Sequence, residues 1–280
     1  MKKTRIALVQ MESKLGETKE NLDKIERFTW QAAGRKAALI CFPELCIPGY
    51  NREQAQSAAE PVPGPSAERI LNLARTSGLL IMAGLAEESG REKPYITQLV
   101  AYPDGRLLKY RKTHLGNSEK PYFMPGEELP VFPFADQATL GLCICWDLHF
   151  PEVSTILSLK GAEIIFSPHA SPVIAGDRRE IWLKYMTARA YDNAVYLAAC
   201  NLVGDDGRGH RFSGGALVID PRGNVVAEAF NGREELMVAD LDHETVNTIR
   251  SEDSPSMRFS FFLSARRPEL YGDLFQKPGG

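Results

Sequence analysis

The chain lacks a surplus of charge of either sign and has no long apolar run. Its 280 residues hold 33 Lys and Arg against 36 Asp and Glu, a formal net charge of −3. A nearly neutral chain lacks the excess of positive charge that is typical of proteins that bind nucleic acid or an anionic membrane. No apolar run approaches the roughly 20 residues that cross a bilayer. The basic start, MKKTRIALVQ, has too short an apolar stretch for a signal peptide and predicts a first strand. We therefore expect a cytoplasmic protein that binds neither nucleic acid nor membrane.

Cysteine is also scarce, and the number is odd. A chain of this length can bury a sizeable core without cross-links, so five cysteines favour a reduced, intracellular protein over a disulfide framework. The five histidines show no ligand spacing such as H-E-x-x-H, so we expect no metal site. The cysteines are Cys41, Cys46, Cys143, Cys145 and Cys200.

No low-complexity tract or shift of composition marks a linker. The Pro-rich PVPGPS, residues 61–66, is short, and Ser66 is predicted to be the N-cap of a helix that stops at Gly78. Continuous apolar strands, such as 37–42 and 79–86, alternate with helices, and hairpins are predicted over 96–111 and 215–229. The pattern predicts a single α/β domain with mixed sheets covered by helices. The hairpins argue against a pure TIM barrel or a simple doubly wound sheet.

Three polar residues stand at predicted strand ends, where α/β proteins place their sites. Glu44 follows a strand that stops at Pro43, and Lys112 follows the first hairpin. Each taken alone is more simply a surface residue. Cys145 ends the apolar run LGLCIC before a turn and a helix, whereas Cys143 lies inside the run and fits a small buried hydrophobe. A strand–turn–helix presents a nucleophile beside free backbone N–H groups that bind an oxyanion.

A cysteine nucleophile needs a base, and no histidine has a diagnostic sequence relation to Cys145. The alternative is a carboxylate base with a lysine that stabilises negative charge. Glu44 and Lys112 supply that combination.

These segments resemble the nitrilase superfamily of carbon–nitrogen hydrolases over nearly the whole chain. The resemblance is carried, in order, by FPELCIPGY, RKTHLGNSEKPYFMPG and CWDLHFPE. It implies a four-layer α-β-β-α sandwich in one domain, residues 1–280, assembled as a homodimer or larger homo-oligomer, with residues 251–280 as a tail used in oligomer contacts. It also implies a triad of Glu44, Lys112 and Cys145, with Glu119 positioning Lys112 or the substrate.

The mechanism that the resemblance implies suits these residue types and requires no metal or organic cofactor. Glu44 takes the thiol proton, Cys145 attacks the carbon, and Lys112 with a backbone N–H, that of Trp146, meets the developing oxyanion. Ammonia leaves a thioester, which water then hydrolyses. Burial should raise the pKa of Glu44, while Lys112 lowers it.

The residues after the nucleophile bear on the substrate. Asp147 and the Phe-Pro-Glu at 150–152 resemble the amidase and N-carbamoyl-amine hydrolase branches, whereas true nitrilases tend to have Cys-Trp-Glu. We predict an amidase or carbamoylase that cleaves a small linear amide or N-carbamoyl group. The alternatives are a nitrilase and an N-acyltransferase with the same triad. A non-catalytic scaffold is disfavoured, because a scaffold has no need of the three residues.

Candidate substrate-binding residues lie near the same strand ends, and each also has a packing interpretation. Arg178 and Arg179 could pair with a substrate carboxylate. The usual exposure of arginine favours instead a charged helix start on the surface. The candidates for substrate contact are Tyr50, Trp146, His169 and Asn201.

Overall fold

The computed structural model describes residues 3–134, 138–251 and 261–276. A first six-stranded sheet has the order β14-β1-β2-β3-β4-β5. The strands β1 (Lys3–Gln10), β2 (Leu39–Cys41) and β3 (Leu80–Glu87) are parallel, while β4 (Tyr95–Ala101), β5 (Leu107–Arg111) and β14 (Glu235–Asp242) pair antiparallel to their neighbours. The helices α1 (Thr18–Gly34) and α2 (Pro65–Ser77) are the crossovers that parallel strands require.

A second six-stranded sheet has the order β13-β12-β9-β8-β7-β6. It contains β6 (Val131–Phe134), β7 (Ala138–Leu142), β8 (Ile164–His169), β9 (Tyr196–Asn201), β12 (Ala216–Ile219) and β13 (Val225–Ala229). Its parallel strands β7, β8 and β9 are joined through α3 (Pro151–Leu159) and α4 (Arg178–Asn193). A separate two-stranded ribbon pairs β10 (Val203–Asp205) with β11 (Arg211–Ser213), and α5 (His243–Arg250) follows β14.

The layers follow from strands that are apolar on both faces. One buried cluster joins the two sheets through residues such as Leu8 and Phe166. A second packs α1 and α2 on the outer face of the first sheet, and a third packs α3 and α4 on the second. The predicted α-β-β-α sandwich is confirmed, and it explains why these strands read as continuous apolar runs.

Some local predictions were wrong. The N-cap of α2 is Gly64, not Ser66, because Pro65 takes the first helical position, and the Ser66 hydroxyl donates instead to Glu60 Oε1 at 2.6 Å. Strand β7 ends at Leu142, three residues before the predicted end. The strands β6, β10 and β11 were not predicted; they are three or four residues long, too short for a clear periodicity.

The tail is described only in part. Residues 261–276 form three short 3₁₀ turns with exposed apolar side chains such as Leu274 and Phe275. Residues 252–260 and 277–280, also within the tail, lie outside the described residues. Its use in oligomer contacts stays a prediction. Within the described part of the chain, none of the helices combines the length and the apolar character that crossing a membrane would require.

Candidate active site

The three predicted strand ends meet at one cavity of about 540 Å³. Glu44 and Lys112 come from the first sheet and Cys145 from the second, so the cavity lies where the two sheets adjoin. Residues more than a hundred positions apart in sequence therefore share one small space.

Glu44 follows β2 in a tight turn and is almost fully buried. Its Oε1 accepts from Lys112 Nζ at 2.7 Å, and its Oε2 accepts from the backbone N–H of Ala170 at 3.0 Å. Burial raises the pKa of Glu44 to about 7, against the opposing pull of the Lys112 charge. These are the two opposing influences expected from the sequence. The carboxyl group is thus able to change its protonation near neutral pH.

Lys112 is buried between two carboxylates. Its Nζ donates to Glu44 and, at 2.8 Å, to Glu119 Oε1. Burial lowers the pKa of Lys112, but the two carboxylates outweigh it and hold that pKa well above the ordinary value. Glu119 is fixed in turn, since it also accepts from Tyr50 OH at 2.9 Å and from the Gly116 N–H at 2.8 Å. Lys112 is therefore positively charged at neutral pH, and the two carboxylates fix its orientation.

Cys145 opens a 3₁₀ turn, Cys145–His149, just past β7. Its φ of +47° lies in the left-handed region, which a residue with a Cβ adopts only when its surroundings impose it. Its Sγ lies 3.8 Å from Ser171 Oγ. Burial and the nearby Glu44 raise the pKa of this thiol to about 12. The early N–H groups of such a turn, that of Trp146 among them, have no partner within it.

Cys143, two residues earlier, has a different environment. It is fully buried in the cluster between the second sheet and its helices. Its backbone N–H donates to Phe166 O at 2.9 Å, which extends the pairing of β7 with β8 by one bond. Cys143 is therefore part of the buried core, whereas Cys145, two residues further along the chain, lines the cavity.

Asp147 is the residue that ties this turn to the rest of the site. Its fully buried carboxylate accepts from the backbone N–H of Ile144 at 2.9 Å and from Tyr110 OH at 2.7 Å. It also accepts from the His114 N–H at 2.7 Å and the Thr113 hydroxyl at 2.9 Å. The loop after Lys112 and the turn of the cysteine thus share one anchor. In the sequence, the position of Asp147 directly after Cys-Trp indicated a relation to the substrate but not this anchoring role.

The candidate substrate-binding residues do not all reach the cavity. Tyr50, Trp146 and His169 line it, with Trp146 44% exposed at its edge. Asn201 lies behind the wall: its Oδ1 accepts from the Ser171 N–H at 2.7 Å and its amide nitrogen donates to Gly214 O. The structure thus gives Asn201 contacts with the segment that carries Ser171 and does not bring it into the lining.

Several further lining residues were missed or misplaced in sequence analysis, and four of them are polar residues from the second half of the chain. Ser171 and His149 had no sequence signal. Tyr185 and Arg178 lie on α4, and Arg178 was expected at the surface, yet it is only 8% exposed and lines the cavity. The surface expectation holds for Arg179, which is paired with Glu228 at 2.7 Å. Within residues 3–134, 138–251 and 261–276, no three His, Cys, Asp or Glu side chains are grouped to hold a metal ion.

A buried carboxylate, a buried lysine and a cysteine on a strained turn, set between the sheets of an α-β-β-α sandwich, define a class of cysteine-dependent hydrolases. Residues 5–251 match the carbon–nitrogen hydrolase family model, and the chain belongs to that family.

Similar proteins agree in length and fold. A nitrilase of Pyrococcus abyssi is 35% identical over 272 residues, covering 95% of this chain and 98% of its own. An omega-amidase of Xenopus tropicalis is 32% identical, with 97% and 98% covered. An amidase of Nesterenkonia sp. AN1, solved as a variant in complex with acrylamide, is 30% identical with a TM-score of 0.84 and 98% of both chains covered. Another variant of that amidase shows covalent addition of the acetamide moiety of fluoroacetamide at its active-site cysteine.

Proposed function

We propose that this protein hydrolyses small linear amides, releasing ammonia, through a thioester on Cys145. One observation carries the proposal: Glu44, whose pKa burial raises to about 7, lines the same cavity as Cys145 and Lys112. A base with this pKa matches the operating pH of general acid–base catalysis. The covalent adduct on the cysteine of the Nesterenkonia amidase supports a cysteine nucleophile.

The first half-reaction begins with the thiol protonated, because burial and the carboxylate of Glu44 raise the pKa of Cys145 to about 12. As sulfur attacks the amide carbon, its proton passes to Glu44 and the carbonyl π electrons move to oxygen. The oxyanion is met by the Lys112 ammonium and by the N–H of Trp146. Glu44 then gives its proton to the leaving nitrogen, the C–N bond breaks, and ammonia departs from a thioester.

The second half-reaction uses the same base. Glu44, a carboxylate again, takes a proton from a water molecule whose oxygen attacks the thioester carbon. The C–S bond breaks, Cys145 recovers a proton from Glu44, and the acid leaves. Throughout, Glu119 holds Lys112 in place through the bond to its Oε1. An amine in place of water would give the acyltransferase alternative.

N-carbamoyl compounds present the same carbonyl and leaving nitrogen, so the proposal includes them. Nitrile hydrolysis is a second candidate, favoured by the Pyrococcus relative that is named a nitrilase. Against nitrile hydrolysis stands Asp147, since true nitrilases tend to have a glutamate at this position. We further propose a homo-oligomer in the cytoplasm. The homo-oligomer is supported by exposed apolar residues of the tail, Leu270, Leu274 and Phe275. The cytoplasm is supported by the five free cysteines.

The test compares two neighbouring cysteines. Ammonia release is measured over a panel of short amides, carbamoyl amines, carbamoyl amino acids and nitriles. We expect release from short amides, its abolition in Cys145→Ala, and most of it retained in the matched control Cys143→Ala. Free acid in the presence of an amine acceptor indicates a hydrolase, and a new amide a transferase. Equal loss from both variants, with both folded by circular dichroism, would refute the role of Cys145.

A further inference from the structure

An arginine without a partner lies in the wall of the active-site cavity. Arg178 is the first residue of α4 and is 8% exposed. Its Nε and Nη2 atoms are buried and make no hydrogen bond, and no carboxylate of the described residues forms an ion pair with it. Arg179, the next residue, is exposed and paired with Glu228. Two adjacent arginines thus have opposite environments.

This placement is costly for a folded protein. Arginine cannot release its charge, and a buried charged donor without a partner is strongly destabilising. A cation at a helix N-terminus also opposes the helix dipole. The acidic groups of the cavity offer no compensation, since Glu44 and Glu119 are both bound to Lys112. A planar fork of free N–H donors in a cavity is the arrangement that binds a carboxylate in two parallel hydrogen bonds.

The wall between Arg178 and the nucleophile is lined by polar groups that carry no charge. Tyr185, about 10 Å further along the axis of α4, has a buried hydroxyl without a hydrogen-bond partner. The centroid of its ring lies 4.5 Å from that of His149, with the two rings tilted. Burial lowers the pKa of both His149 and His169; the charges of Arg189 and then Arg178 add to this effect at His149, and the charge of Arg178 adds to it at His169. The two histidines are therefore neutral near pH 7. Among the described lining residues, Arg178 is the cation at this end, and Lys112 is at the other.

We infer that Arg178 binds a carboxylate at the end of the substrate remote from the scissile carbon, so that this cavity selects linear amides or N-carbamoyl compounds carrying a distal carboxylate. The inference rests on the proposed function, because the scissile group must lie at Cys145 for the carboxylate to reach Arg178. The anionic group can belong to the monoamide of a dicarboxylic acid or to an N-carbamoyl amino acid. Both present the same chemistry to the guanidinium.

Selectivity is measured as the ratio of kcat/KM values for chain-matched pairs, succinamate against butyramide and N-carbamoyl-β-alanine against N-propylurea. The pair with the larger ratio identifies the source of the carboxylate. We expect the carboxylated member to be preferred, and Arg178→Gln to lower that ratio roughly 30- to 100-fold, mainly through KM, as loss of a hydrogen-bonded charge does. Arg178→Lys should give an intermediate ratio, because it restores the charge without the fork. Arg179→Gln is the matched control and should leave the ratio unchanged.

The affinity for a carboxylated amide can also be measured without catalysis. In the Cys145→Ala background, calorimetry with succinamate should show affinity that Arg178→Gln weakens by a similar factor. Equal use of carboxylated and neutral substrates by the unaltered protein, or equal ratios in Arg178→Gln and Arg179→Gln, overturns the inference while the proposed function stands. Absence of hydrolysis of any panel member, with Arg178-dependent binding of succinamate retained, refutes the proposed function instead.

Discussion

Replacing Asp147 by asparagine tests whether one buried carboxylate holds the active site together. The change keeps the shape and replaces one acceptor oxygen by a donor group. Oδ1 accepts from Thr113 and His114, and Oδ2 accepts from Ile144 N and Tyr110 OH. An asparagine can keep its oxygen toward Thr113 and His114. Its NH₂ group then faces the Ile144 N–H, donor against donor, and only the tyrosine can adapt by accepting.

The magnitude follows from these bonds. One buried N–H left without an acceptor costs about 1–3 kcal/mol, and the remaining bonds lose the charge that made them about twice as strong as neutral ones. We expect the free energy of unfolding to fall by roughly 3 kcal/mol. Ile144 directly precedes Cys145, whose φ of +47° persists only because its surroundings impose it. A shift of the sulfur by about 1 Å should lower kcat roughly 10- to 100-fold.

The assay combines thermal or urea unfolding with ammonia release from a short amide. Asp104→Asn is the control, since Asp104 accepts from the Arg106 N–H at 3.0 Å in an exposed hairpin turn; there we expect a change within about 0.5 kcal/mol and unaltered kcat. If Asp147→Asn unfolds like the control and keeps kcat within a factor of two or so, Asp147 does not anchor the turn. If the variant is as stable as the unaltered protein but has a low kcat, Asp147 affects the geometry of the active site and not the stability of the fold.

Two further predictions concern Glu44 and its turn. Because only the carboxylate form of Glu44 accepts the thiol proton, kcat/KM should fall about tenfold per pH unit below the pKa near 7. We expect no loss of kcat/KM at alkaline pH until Lys112, whose pKa is raised, deprotonates. A flat profile between about pH 5 and 8 would contradict the assignment of Glu44 as the base. Gly84→Ala should reduce both stability and activity, because an added Cβ would lie 2.4 Å from Leu45 N and 2.9 Å from Pro43 O, backbone atoms flanking Glu44. Gly34→Ala is the comparison, because a Cβ there meets no atom within 4 Å and the backbone is not left-handed. Equal melting temperatures and rates in the two variants would show that Gly84 does not shape the turn.

Much of the fold could be predicted because its signals are local. The helix expected after the turn at Cys145 is present as Pro151–Leu159, since Pro151 is favoured at a first helical position and an apolar face follows it. The hairpin of β4 and β5 followed from Pro103-Asp104-Gly105 between two alternating runs. The strand that precedes Cys145 was predicted too long, because the Ile144 N–H donates to the carboxylate of Asp147, in the following turn, and not to a neighbouring strand.

The candidate site divides in the same way. Strand ends and residue types made Glu44, Lys112 and Cys145 candidates, because a polar residue that ends an apolar strand stands at the rim of the sheet. The resemblance to a known family then grouped the three as a triad. Only the tertiary structure decided which neighbours face them. It turned Asn201 to the back of the wall, made Asp147 an anchor, and buried Arg178 while leaving Arg179 in solvent. The physical reason is that a strand end is encoded by neighbours in sequence, whereas the partner and the burial of a side chain depend on how two sheets and four helices pack against one another.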